Sequence, residues 1–253
     1  MPVNEITIST SVNADGFALI PPLFRDADTE QFVRALDDHT ANHPAISRRG
    51  AGYAQRNILA IPAIRELAGS RELRDLIAPV LGPTAIPVRG ILFDKVPQAN
   101  WHVGWHQDCA IAVSEKRDTT ELREMGFGPW SVKAGVAHVE PPTHVLENML
   151  TLRVHLDDCD EHNGPMRVIA GSHRHGKLNV EDIRRCVAQR EAVTCCLQRG
   201  GVLAMRPLLL HASSPAQHDA APGGPPRPAH RRVVHIEYAG ATTLPAALRW
   251  AVA

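Results

Sequence analysis

From residue 85 onward the chain reads as short apolar runs broken by proline, glycine, asparagine and aspartate. This pattern predicts a mainly β protein of the sandwich or jelly-roll type. Two further observations agree. Helical periodicity is confined to the first third and one later segment, so helices are expected to back a sheet rather than alternate with its strands. Asn163-Gly164 has the composition of a hairpin turn. With 253 residues the chain is expected to form one domain over 1–253.

Residues 15–22 read as a short strand entering a turn at Pro21-Pro22. Phe32 and Leu36 set a helical period over 29–40. Ser70 is placed to cap a helix through Leu73, Leu76, Ile77 and Leu81, which Gly82 and Pro83 would end. Strands are expected over 86–96, 150–156, 166–169, 193–197, 201–205 and 232–238, with one inserted helix over 179–191 capped by Asn179. Two segments stand apart. Residues 114–142, with Gly126-Phe127-Gly128-Pro129-Trp130 at their centre, are long for a connection and are expected to form a mobile lid. Residues 219–229 are rich in proline and glycine and are expected to form a flexible exposed loop.

Composition excludes several classes of function. Lys plus Arg and Asp plus Glu both number 27, and the cations are scattered, so neither nucleic acid nor an anionic membrane is expected as a partner. No apolar run approaches the roughly 20 residues that span a bilayer. Met1-Pro2-Val3-Asn4-Glu5 lacks the basic start and apolar stretch of a secretory signal, so a cytoplasmic location is expected. The five cysteines show no C-x-x-C spacing, which argues against a disulfide framework and a structural zinc.

Trp105-His106-Gln107-Asp108 carries the chemistry. On an extended strand residues two apart share a face, so an imidazole and a carboxylate would stand side by side. A distant His211, in Leu210-His211-Ala212-Ser213, would complete a triangular face. Two histidines and one carboxylate are the ligand set of non-haem Fe(II) oxygenases, and some zinc hydrolases use a similar one. A lone histidine is usually a satisfied core or surface residue, and His102, His138, His144, His155, His173 and His175 keep that reading. Gln107 should face away from the metal.

Four stretches, in order, resemble the phytanoyl-CoA dioxygenase family. They are Phe93-Asp94-Lys95 with Trp105-His106-Gln107-Asp108, then Asn163 through His173, then His211-Ala212-Ser213, then Arg231-Arg232-Val233. The resemblance implies a double-stranded β-helix, a jelly-roll or cupin-like barrel with N-terminal and inserted backing helices. It implies dependence on Fe(II), 2-oxoglutarate and O2, with succinate and CO2 released. His106, Asp108 and His211 would bind the metal. Arg231 would grip the distal carboxylate of 2-oxoglutarate, with Ser213 and Lys95 beside it. Strand parity leaves Arg231 and Arg232 open: Arg231 points inward only if the apolar Val234, Ile236 and Tyr238 face the backing helices. Related halogenases lack the carboxylate ligand, so Asp108 implies hydroxylation.

Trp101, Trp130, Lys133 and Arg153 are the candidates for substrate contact, and their charges suggest a small anionic or amino-acid-like molecule. Two other readings compete: a cupin-like metalloenzyme that uses no 2-oxoglutarate, and a non-catalytic ligand-binding barrel.

Overall fold

The computed structural model describes residues 5–42, 46–48, 51–217, 229–240 and 244–251. The loop expected over 219–229 lies, apart from residue 229, outside them. The first third holds helices α1 (Glu5–Asp15), α2 (Asp26–Asn42), α3 (Pro62–Gly69) and α4 (Arg71–Leu81), with strands β1 (Phe17–Ile20), β2 (Ile46–Arg48) and β3 (Ala51–Arg56) among them. Then come β4 (Ile86–Lys95), β5 (Val103–His106), β6 (Ile111–Val113), α5 (Thr120–Glu124), β7 (Trp130–Lys133), β8 (Val136–Val139) and α6 (Thr143–Glu147). The last part holds β9 (Met149–His155), β10 (Met166–Val168), α7 (Val180–Gln189), β11 (Val193–Cys195), β12 (Val202–Met205), β13 (His211–Ser213) and β14 (Arg231–Ala239).

Helix ends follow their capping residues. The Ser70 hydroxyl accepts from the Leu73 N–H (3.4 Å), and Gly82 takes φ 87° where α4 stops. Asn179 caps α7 by accepting from the Asp182 N–H (3.0 Å).

A seven-stranded antiparallel sheet, in the order β1-β12-β9-β14-β4-β3-β2, faces a four-stranded sheet in the order β11-β10-β13-β5. This is the expected jelly-roll barrel. Alternation divides the large sheet. Leu152 and Val154 of β9, Val202 of β12 and Val234, Ile236 and Tyr238 of β14 pack outward on Leu36, Ile64, Leu67, Leu73 and Leu76 of the helices. Each such fully buried aliphatic contributes about 1.5–3 kcal/mol of transfer free energy. The inward face of the same strands carries Arg153, Arg231, His235 and Glu237, all buried. At one end of the barrel Val168, Cys195, Leu203, Met205 and Leu209 fill the interior.

One expectation needs correction. Asn163-Gly164 does turn the chain, and Gly164 has φ 76°, but it joins no hairpin: β9 and β10 lie in different sheets. Turn composition reports a local backbone need and not which strands pair. A Cβ on Gly164 would come 2.6 Å from the Ser214 carbonyl oxygen and 3.0 Å from Lys95 Nζ, so close approach also demands glycine here. Residues 114–142 carry secondary structure of their own. They contain α5, β7 and β8, and β6, β8 and β7 form a three-stranded sheet. Phe127 is buried in an apolar cluster with Ile111, Leu122, Val139 and Leu146 that also takes in Val88, Met149 and Ala239 of the large sheet, and Trp130 packs against it. Among the described residues no helix is long and apolar enough to cross a membrane.

Candidate active site

The two sheets enclose a cavity of about 650 Å³, within the range of small-molecule sites. His106 ends β5 and pairs directly with His211 on β13, so the ladder itself sets the two imidazoles side by side, ring centroids 4.2 Å apart. Asp108 lies two residues past the end of β5 rather than on it. The strand argument for Asp108 therefore fails, and what holds it is its own N–H, donated to the Pro207 carbonyl at 2.9 Å. The result is nevertheless a convergent cluster. Ligand atoms of His106, Asp108 and His211 all lie within 4.8 Å of one another, with Asp108 3.6 Å from His211 Nε2 and 4.0 Å from His106 Nε2.

Both imidazoles are oriented from behind. His106 Nδ1 donates to the Gly104 carbonyl and His211 Nδ1 to the Leu209 carbonyl, each at 2.9 Å, which leaves each Nε2 lone pair facing Asp108. Burial pushes His211 down to about 4, so it is neutral at physiological pH. Burial alone would raise the Asp108 carboxyl, but the surrounding His211, His235, His106 and Arg89 outweigh it and keep the group ionised. Two imidazoles and one carboxylate, with the cavity opposite, are a donor set that could hold a divalent metal facially.

Gln107 faces away from this cluster, as expected, and is more than a spacer. Its amide donates to the carbonyls of Leu208 (2.7 Å) and Gly176 (2.8 Å) and accepts from the Leu178 N–H (2.8 Å). It thus ties the segment carrying His106 and Asp108 to the one leading into His211. Gln107→Leu leaves these backbone groups unpaired. It is expected to cost about 1–3 kcal/mol of stability and to weaken iron binding roughly 10- to 100-fold. Thermal unfolding and an iron titration measure the two effects, and an unchanged iron affinity would contradict the positioning role.

Beside His211, Ser213 faces Lys95 across the barrel. Lys95 Nζ donates to the Ser213 hydroxyl (2.7 Å) and to the Ser214 carbonyl, and stands 5.5 Å from the Trp101 ring centroid. Arg231 pairs with Lys95 in the β4–β14 ladder and is 4% exposed, on the inner face. Arg232 points the other way and clamps Asp157 with two hydrogen bonds of 2.7 and 2.9 Å. Parity is therefore decided by the apolar face of β14 packing on the helices. Among the described residues the buried Nε atoms of Arg231 and Arg153 have no hydrogen-bond partner. Orphaned buried guanidinium nitrogens beside a lysine and a serine hydroxyl fit a carboxylate ligand.

Arg153 lies on the floor of the cavity. Its Nη1 donates to His235 Nδ1 (2.8 Å) and its guanidinium sits 5.3 Å over Phe93. His235 Nε2 in turn donates to Glu237 (3.3 Å), which Arg89 holds at 2.8 Å. Of this chain of Arg153, His235, Glu237 and Arg89, only Arg153 was picked out from the sequence. The signal was present, because Arg231, His235 and Glu237 share one face of β14. Of the other candidates, Trp101 and Lys133 line the cavity. Trp130 does not: on β7 it takes the opposite face from Lys133 and packs into the small sheet's apolar cluster. Cys109 lines the cavity, and burial pushes its thiol up to about 11, as for an inert buried hydrophobe.

A family model described as phytanoyl-CoA dioxygenase matches residues 12–220. The chain belongs to the phytanoyl-CoA dioxygenase family. Family members are iron- and 2-oxoglutarate-dependent oxidoreductases that consume O2, and the donor set and orphaned arginine just described fit both groups. No curated protein matches the sequence. Solved structures of the same fold include SnoK, a non-heme alpha ketoglutarate dependent carbocyclase from nogalamycin biosynthesis. It is 14% identical with a TM-score of 0.69, over 95% of this chain and 85% of that one. The epimerase SnoN from the same biosynthesis is 17% identical with a TM-score of 0.65, over 94% and 83%. EctD from S. alaskensis, solved with 2-oxoglutarate and 5-hydroxyectoine, is 18% identical with a TM-score of 0.67, over 94% and 77%.

Proposed function

We propose that this family member is a hydroxylase that inserts one oxygen atom into an unactivated C–H bond of a small, anionic or amino-acid-like molecule. The observation that carries the reading is the His106, Asp108 and His211 cluster opening on the cavity, with the carboxylate ligand present. When bound there, iron with 2-oxoglutarate and O2 supplies the oxidising equivalent, and succinate and CO2 are the co-products. The chain's own part is positional. Asp108 supplies the anionic ligand, and the two backbone-tethered imidazoles present Nε2 without rearrangement. Arg231, Lys95 and Ser213 hold the distal carboxylate of the cosubstrate, and the barrel walls keep bulk water from the reacting bond. Product mass after turnover under labelled O2 tests the reaction type. Hydroxylation adds one labelled oxygen, epimerisation leaves the mass unchanged and ring closure removes two hydrogens.

In the same reading, residues 114–142 act as the lid of the substrate end, since Lys133 and Glu140 from this segment line the cavity. Iron, 2-oxoglutarate and substrate together are expected to slow limited proteolysis within 114–142. Unchanged cleavage would reduce the segment to a fixed wall.

Lys95 sets a pH dependence. Burial, with Arg231 and Arg153 beside it and Cys159 opposing, lowers its ammonium from 10.5 to about 7. Below about pH 7 the charge is in place for a carboxylate. Above it the free protein holds neutral Lys95, so binding 2-oxoglutarate must take up a proton, and apparent affinity falls by at most tenfold per pH unit. The unfolded chain binds the extra proton between about 7 and 10.5, so this residue makes folding stability rise with pH across that window. Titrations of 2-oxoglutarate at pH 6.5 and 8.5 in two buffers of different ionisation heat read the proton uptake directly. Lys95→Met should abolish it.

A further inference from the structure

The cavity has two cationic ends. Lys95 and Arg231 stand at one. Six residues back along β4 from Lys95, about 20 Å away at the usual strand rise, Arg89 faces the same interior. Arg56 is its diagonal neighbour, being paired with Ile91 in the β3–β4 ladder, and Lys133 enters from β7. His211 is two residues from Ser213, and the metal cluster lines the same cavity as both ends. A five-carbon cosubstrate held at the Lys95 end does not reach the Arg89 end.

The charges of this second end are not all spent within the protein. Glu237 answers Arg89 at 2.8 Å, and its remaining contact is with His235. Glu140 is directed to Lys177 at 3.8 Å. Lys133 has no carboxylate within 4.0 Å among the described residues. Burial, then Arg89 and Arg56, push its ammonium down from the usual lysine range against the weaker opposing pull of Asp108 and Glu237, which marks a cation partly out of water beside like charges. Such a cluster gains most from an anion, repels an amine and offers a neutral molecule little. An arginine fork with a mobile lysine point charge suits carboxylate or phosphoryl oxygens.

We propose that the Arg56, Arg89 and Lys133 end is the docking subsite for an acidic group of the substrate, carboxylate or phosphoryl, so that the substrate is an acid whose far end is fixed while one carbon faces the metal. This rests on the hydroxylase reading above.

The test is anaerobic titration of the Fe(II)- and 2-oxoglutarate-loaded protein, following the visible charge-transfer band of the chelate. Probes are hexanoate, benzoate, N-acetylglycine and phenyl phosphate, each against its neutral amide or parent alcohol. Acids are expected to perturb the band with an apparent Kd at least tenfold below that of their neutral partners, and the phosphate arm separates phosphoryl from carboxylate recognition. Lys133→Gln should raise the Kd of the best acid at least tenfold without affecting its amide. Arg56→Gln serves as the second variant, each read against its own band as zero. Equal effects of acids and amides, a panel of acids without effect, or Kd values within twofold in both variants would overturn the subsite alone. Failure of the band to form on adding 2-oxoglutarate would overturn the hydroxylase reading, and the subsite with it.

Discussion

Alanine at His106, Asp108 or His211 is expected to abolish substrate-linked succinate formation while the chain still folds. Each substitution removes one of only three protein donors in the cluster, and no fourth His, Cys, Asp or Glu joins it among the described residues. His106 and Asp108 are 41% and 35% exposed at the side chain, so their loss creates no cavity in the core. His211 is buried, and its alanine variant should melt somewhat lower without changing the fold. Asp108→Glu should also be poor, because one added methylene displaces the oxygen in a site that needs placement within about 0.5 Å. Succinate release, iron content and thermal melting, measured together at saturating iron, decide the matter. Near-normal turnover in any one variant would remove that residue from the assigned ligand set.

Arg231→Ala is expected to raise the apparent KM for 2-oxoglutarate by the equivalent of roughly 2–5 kcal/mol, the scale for truncating one partner of a buried charge pair. The guanidinium is almost fully buried with Nε unpartnered, so the ligand finds it already desolvated and aimed. Arg232→Ala is the control. Its side chain clamps Asp157 on the outer face, so it should lower stability and leave the cosubstrate KM near normal. The reverse pattern would show that the cosubstrate is gripped from somewhere other than the cavity face of β14.

Most of the barrel was legible because its strands are short apolar runs with sharp ends. The predicted 150–156 and 201–205 became β9 and β12 within a residue or so. The α4 cap at Ser70 and stop at Gly82 were legible for the same local reason. What was not legible depended on contacts between distant segments. Helix α1 has almost no amphipathic signal, yet Ile8 and Val12 are buried against the other helices. Asn163-Gly164 declares a turn locally, while sheet membership is decided by long-range pairing. In the site, His106 and His211 were readable as donor types, but their pairing across β5 and β13 was not. Arg89 and Glu237 were missed because a charge on a strand reads as solvent-facing until its partner, 148 residues away, is known.

The small sheet of β6, β8 and β7 does not stand alone: its apolar cluster also takes in Val88 of β4, Met149 of β9 and Ala239 of β14, which fastens it to the large sheet. Lys133 and Glu140 hang on the small sheet, whereas His106, His211, Lys95 and Arg231 hang on the two large ones. The wall that carries Lys133 is thus seated on the same strands that build the barrel. A chimera taking residues 111–139 from a relative would therefore need Val88, Met149 and Ala239 matched to the incoming side chains before it could carry over a new preference.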